Sequence, residues 1–153
     1  MQRRTFLKGS LAAGAAGVAA GAGLLVPGTV LADWNKAAFE AKDLGAAMNA
    51  IAGGAGEASA DIKIKAPDIA ENGAVVPVTV STAMAGVESI SILASNNGTP
   101  LTSSYDLGAS AQGFVSTRIK MAKTSDVVAL IKAGGKLHSA KKEVKVTIGG
   151  CGG

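Results

Sequence analysis

Cys151 is the only cysteine in this 153-residue chain, and it stands in the terminal run Gly149-Gly150-Cys151-Gly152-Gly153. Glycine on both sides removes every Cβ that would restrict the backbone or shield the thiol. No apolar neighbour accompanies the sulfur, so it is expected to be exposed. At about 3.4 Å per residue the five residues reach roughly 17 Å, enough to put the sulfur inside another protein's cleft while the body of the chain stays outside. The arm holds no basic residue and no base, so activation of the thiol must come from whichever protein receives it. The pattern is that of a covalent handle.

Other chemistry is poorly provided for. His138 is the only histidine, set among Lys136, Ser139 and Lys141, and reads as a solvated strand residue; it could pair with Cys151 only if the tail folded back. One histidine cannot build a blue-copper centre, and no zinc-ligand spacing exists. The glycine-rich stretches 9–23 and 53–56 do not link a strand to a phosphate-binding helix, and therefore fail as nucleotide loops. Met48 and Met121 fall on apolar faces and read as core. No catalytic residue, metal or cofactor is expected. The terminal Gly152-Gly153 also resembles the end of ubiquitin-like sulfur carriers, whose thiocarboxylate chemistry requires ATP. Prenylation is excluded because Cys151 is third, not fourth, from the end.

The charge of +4 invites nucleic acid until it is divided along the chain: the first 32 residues hold Arg3, Arg4 and Lys8 and no acid, leaving +1 from Asp33 onward. With only 3% aromatic residues for base stacking, nucleic acid is set aside. The segment 1–32 has the layout of an export signal: Arg3 and Arg4 before Phe6-Leu7-Lys8, a Gly- and Ala-rich apolar stretch over 11–26, and Val30-Leu31-Ala32 suited to cleavage. The paired arginines resemble the twin-arginine motif, with Gln2 where Ser or Thr is usual. Its glycines make the stretch too weakly hydrophobic for a permanent membrane anchor, although its length approaches a span. A periplasmic location follows as an expectation. A lone exposed thiol in that oxidising compartment leaves an alternative open, a β-sandwich interaction module cross-linked to a partner through Cys151.

The elements that must present the arm follow from periodicity. Ala37, Ala41, Leu44, Met48 and Ile51 recur at steps of four and three and predict one amphipathic helix, ended by Gly53-Gly54; 53–59 reads as a linker. From Asp61 the period is two: Ile62 and Ile64 alternate with Lys63 and Lys65, and Val76, Val78 and Val80 form a second inward set. Pro77 within that strand predicts an edge or bulge position. Further strands are expected over 87–94, 101–107 and 114–121. The apolar run 127–131 predicts a central strand, and after Gly134-Gly135 comes a last strand with Val144, Val146 and Ile148 inward. About seven strands without interspersed helices predict a mainly β chain, an immunoglobulin-like antiparallel β-sandwich with an N-terminal amphipathic helix and a flexible C-terminal arm. The expected organisation is a signal over 1–32, helix and linker over 33–59, sandwich over 60–148 and carrier arm over 149–153.

These residues carry a resemblance. The segment Ile62-Lys63-Ile64-Lys65-Ala66-Pro67-Asp68-Ile69-Ala70-Glu71-Asn72-Gly73 is similar to a stretch of the SoxY family, the sulfur carriers of the bacterial thiosulfate-oxidising Sox system. So are Thr117-Arg118-Ile119-Lys120, the run 125–129 and, most specifically, 144–153 with its terminal pentapeptide. The resemblance implies a heterodimer with the immunoglobulin-like SoxZ, and Cys151 as the attachment point on an arm of Gly149, Gly150, Gly152 and Gly153. It further implies thiosulfate joined oxidatively to the cysteine by the haem protein SoxXA. Sulfate would be released by the dimanganese hydrolase SoxB, and the remaining sulfane oxidised by a molybdenum-containing dehydrogenase where one is present. The chain itself would be a substrate-carrying subunit and not an enzyme.

Overall fold

In a computed structural model of the chain, which describes residues 34–147, the alternating valines are the floor of the molecule. Val76, Val78 and Val80 are each at most 1% exposed, and the polar residues between them face outward. Two helices open the described chain, α1 (Lys36–Glu40) and α2 (Leu44–Ala52). Nine strands follow: β1 (Glu57–Ala58), β2 (Ile62–Lys65), β3 (Ile69–Ala70), β4 (Val76–Thr82), β5 (Val87–Ala94), β6 (Leu101–Asp106), β7 (Phe114–Ile119), β8 (Ser125–Ala133) and β9 (Lys136–Val146). The large sheet has the order β1-β9-β8-β5-β6, with β3 also on β9; the small sheet is β2-β4-β7. Helices and sheets belong to one compact unit that begins at Asn35.

The sandwich core lies between the two sheets, where Val76, Val78 and Val80 meet Ile90, Ile92, Val127, Ala129, Ile131 and Val144. A second cluster lies on the other face of the large sheet, where Leu93, Leu101, Val128 and Leu130 pack under Ala38, Ala47 and Met48 of the helices. This explains the unbroken apolar run of β8. With β9 on one side, β5 on the other and apolar layers above and below, neither face of the strand meets water. The tight β8–β9 turn is made by Gly134 and Gly135 at φ +56° and +73°, the left-handed pair that matches hairpin twist and that only glycine adopts without strain.

The structure corrects three expectations. The single helix is two, broken at 41–43, because the Asp43 side chain accepts the Ala46 N–H at 2.8 Å and starts a fresh helix there. The restart resets the helical phase, so that Ala38 is buried instead of Ala37. Gly53 does end the second helix, at φ +78°. The run 53–59 is more than a linker, since β1 pairs in parallel with β9 at His138 and Ser139. Gly56 permits this approach: a Cβ there would lie 2.9 Å from Leu137 Cγ. The strand holding Pro77 is the middle of its sheet. Because β2 pairs it only as far as Thr79, however, Pro77 sits on a stretch paired on one side alone, which a missing N–H tolerates. The mainly β, immunoglobulin-like sandwich itself is as expected, with two short parallel pairings, β1 and β3 on β9, added to its antiparallel strands.

Candidate functional site

The chemistry-bearing residues proposed from sequence, Cys151 with Gly149, Gly150, Gly152 and Gly153, lie outside the described residues, as do Ile148 and the export arginines Arg3 and Arg4. What the structure gives is the mount from which the arm leaves, and it is built residue by residue at the end of β9.

Val144 is fully buried in the sandwich core, fixing the strand against β8 two residues before its end. Along its outer edge β3 runs parallel, with Ile69 opposite Lys145 and Ala70 opposite Val146. Lys145 N–H donates to the Asp68 carbonyl at 2.9 Å, and Thr147 N–H to the Ala70 carbonyl at 3.1 Å. On the inner edge, where β8 has not yet begun, the hydroxyl of Thr124, the residue just before it, takes its place. It accepts the Val146 N–H at 2.9 Å and donates to the Val146 carbonyl at 3.4 Å. A hydroxyl that both accepts and donates stands in for one rung of a ladder, so the backbone of β9 stays satisfied on both edges through Thr147.

Two further contacts brace the mount. The Lys142 ammonium bonds the Asp68 carboxylate at 3.0 Å and the Ala66 carbonyl at 2.7 Å, tying the loop that carries β3 to the middle of β9. Gly73 packs against the strand end: its carbonyl accepts the Met121 N–H at 2.7 Å. A Cβ on Gly73 would strike the Met121 carbonyl oxygen and lie 2.8 Å from Val146 Cγ1. Thr124, Gly73 and the Asp68–Lys142 pair were not legible as functional from sequence. Gly73 gave the one available signal, an Asn-Gly pair between strands, but that signal shows a turn and not what the turn touches.

The same geometry separates His138 from the arm. It stands at the start of β9, partly buried, opposite Ile131 and Glu57. Nine residues of strand from His138 to Thr147 cover about 30 Å, whereas the four residues from Thr147 to Cys151 reach about 14 Å. Within this chain the imidazole therefore cannot serve the thiol. A groove of ≈ 870 Å³ lined by Met84, Leu107, Gly113, Phe114 and Gly134 is likewise at the hairpin end, a strand length from the mount. There Glu88 accepts the Gly135 N–H at 2.9 Å and pairs with Lys132 at 3.0 Å. The Lys132 contact, and then the Gly135 amide, hold its carboxyl below the ordinary glutamate value. Met48 and Met121 are buried as expected. Among the described residues no three of His, Cys, Asp and Glu gather as metal ligands, and no helix is long and apolar enough to cross a membrane.

Comparison with known proteins meets this geometry from outside. The family model of the sulfur oxidation protein SoxY matches residues 48–151, a span that takes in α2 from Met48, every strand and Cys151. A solved structure of the sulfur carrier protein SoxY from Chlorobium limicola f thiosulfatophilum is similar at 48% identity and a TM-score of 0.60. The match covers 67% of this chain and 94% of that one. A superoxide reductase (neelaredoxin) from Ignicoccus hospitalis shares the fold alone, at 21% identity and a TM-score of 0.51, over 56% of this chain and 80% of its own. No curated protein matches the chain. A mainly β sandwich whose last strand is hydrogen-bonded on both edges at its end, matched by family and by structure over most of its described length, belongs to the SoxY family.

Proposed function

We propose that this chain is a periplasmic sulfur carrier that holds thiosulfate-derived intermediates covalently on Cys151 and presents them to separate enzymes. The observation that carries the reading is the family match through Cys151, joined to a mount in which β9 is hydrogen-bonded on both edges up to Thr147. A tether is useful to several enzymes only if its base is fixed, so that reach is set by the arm and not by fraying of the body.

The chemistry balances as follows. The Cys151 thiol and thiosulfate join through a new S–S bond, giving a cysteine S-thiosulfonate. One proton is lost and two electrons pass to an oxidant, the role of the haem protein SoxXA. Hydrolysis of the S–SO3⁻ bond by a SoxB-like enzyme consumes one water, releases sulfate and a proton, and leaves a cysteine persulfide for a sulfane dehydrogenase. In each step the acid, base and redox groups belong to the visiting enzyme, and this chain contributes position. A SoxZ-like subunit would complete a heterodimer. Arg3 and Arg4 would direct export through the twin-arginine pathway, which carries folded protein and could bring such a partner along.

A host strain bearing Cys151→Ser, assayed for thiosulfate oxidation, tests the reading. Loss of oxidation with unchanged abundance of the protein is expected. Oxidation at the parental rate would overturn carriage and favour a cross-linked interaction module instead.

A further inference from the structure

The two outer faces of the sandwich are treated differently. The large sheet is covered by α1 and α2, whereas the outward residues of β2, β4 and β7 remain exposed or partly so. Alternation sets Lys63 and Lys65 of β2 on that outer face and, across β4, Arg118 of β7, with Lys120 one step beyond the strand. All four are exposed, and no outward position within the three strands holds an acid, the nearest being the exposed Asp61 one step before β2. Lys36, Lys132, Lys141 and Lys142 each pair with a carboxylate; the four cations of this face are among the eight described lysines and arginines that do not, the others being Lys42, Lys123, Lys136 and Lys145. Between and beside them lie Pro77 and two of the large exposed apolar residues, Val75 at 50% and Phe114 at 55%. Val75 and Pro77 lie at one end of the face and Phe114 at the other, with the hydrogen-bonded hydroxyls of Thr79 and Ser116 between them; a broad face that mixes cations, hydroxyls and apolar side chains has the anatomy of a protein interface, not of a small-ion pocket.

Its place in the fold gives the face a use. Val76 pairs with Ile119, so the Val75, Arg118 and Lys120 end lies at the end of the molecule where Gly73 packs on Val146. A partner seated there would have its cleft next to the point where the arm leaves, within the roughly 14 Å that four residues from Thr147 allow.

We propose that the outer face of the β2-β4-β7 sheet is the docking surface for an enzyme that acts on the carried sulfur, and that the complementary surface is a carboxylate-rich rim around that enzyme's cleft. The inference rests on the carrier reading and deepens it. Docking on a charged face beside the arm would raise the local concentration of Cys151 at the cleft without any contact to the sulfur itself. Orientation would be set by the four cations, and one face could serve successive enzymes that share an acidic rim.

The test adds chain isolated from its host, at increasing concentration, to an extract of a thiosulfate-exposed Cys151→Ser strain, which alone should not consume thiosulfate, and reads the concentration giving half-maximal thiosulfate consumption. The variants are K63E/K65E and R118E/K120E, with unfolding midpoint and the rate of Cys151 reaction with a small aromatic disulfide as checks on fold and arm. At about 0.05 M salt each double variant should need about tenfold more protein than the parent, and most of that difference should vanish at about 0.5 M, where the screening length falls below 5 Å. Equal half-saturation for parent and both variants at low salt would overturn the docking surface while leaving carriage intact. A shift that survives undiminished at high salt would overturn it too, since the contact would not be electrostatic. If isolated Cys151→Ser chain restores consumption as well as the parent, carriage itself fails and the docking proposal falls with it.

Discussion

Replacing Gly73 by alanine should loosen the root of the arm at Thr147 from a distance of 74 residues in sequence. The backbone at Gly73 is not left-handed, so the penalty is one of space. The new methyl would collide with the Met121 carbonyl oxygen and come within 2.8 Å of Val146 Cγ1, closer than real Cβ contacts occur. Either the 71–75 turn moves out, breaking the Met121-to-Gly73 hydrogen bond, or Val146 gives way. Overpacking of this kind costs about 1–3 kcal/mol. At about 4 °C per kcal/mol for a domain of this size, the unfolding midpoint should fall by roughly 4–12 °C. Stability alone would not show where the damage lies, so Gly113→Ala is the proper comparison. Its Cβ would lie 2.7 Å from Thr82 Cγ2 and 3.0 Å from the Thr82 carbonyl, a similar crowding at the opposite end of β4. Gly98→Ala, with nothing within 4 Å, should be neutral. Amide hydrogen exchange read at Val146 and Thr147 should quicken in Gly73→Ala and stay at the parental rate in Gly113→Ala. A Gly73→Ala protein within 1 °C of the parent (by this ~4 °C scale, negligible), or equal exchange at Thr147 in both variants, would refute the packing of the arm's mount as described.

Three other outcomes are expected. Leu93→Ala should cost about 2–5 kcal/mol and expose α1 and α2 to limited proteolysis before the sandwich opens, because Leu93 is fully buried in the cluster beneath the helices. Glu88 has a carboxyl held below its ordinary value near 4.5, so its contribution to stability is present above that value and is lost as pH falls through the lower, folded one. Denaturation curves of parent and Glu88→Gln should therefore differ at neutral pH and converge on acidification; a gap that widens in acid would contradict the assignment. His138→Ala should leave the pH profile of Cys151 alkylation unchanged, since the strand holds the imidazole beyond the arm's reach, and a profile altered by the substitution would refute that.

Much of the fold was legible because two-residue alternation and burial have the same cause. The valines of β4 and the outward lysines of β2 were assigned to opposite faces by period alone, and the buried run of β8 was read as central. What was missed depended on contacts between distant segments. Pro77 implied an edge, and only the register shows a middle strand whose neighbour ends early. One hydrogen bond from Asp43 divided a helix that hydrophobic spacing had made continuous. At the candidate site, Cys151 stood out because its neighbours have no side chains. The Thr124 hydroxyl that replaces a ladder rung looked like any loop threonine. Lys63 and Lys65 were likewise legible only as the outward positions of one strand. That Lys63, Lys65, Arg118 and Lys120 share one face follows from the order β2-β4-β7, which local sequence does not encode.

The central claim is that Cys151 carries sulfur, and intact-mass analysis of the protein taken from thiosulfate-grown cells tests it most directly. Adducts of one S2O3 unit or of a single extra sulfur, confined to the terminal peptide and removed by a thiol reductant, are the predicted result. A cysteine that is unmodified in growing cells, or found only in a disulfide to another chain, would contradict it.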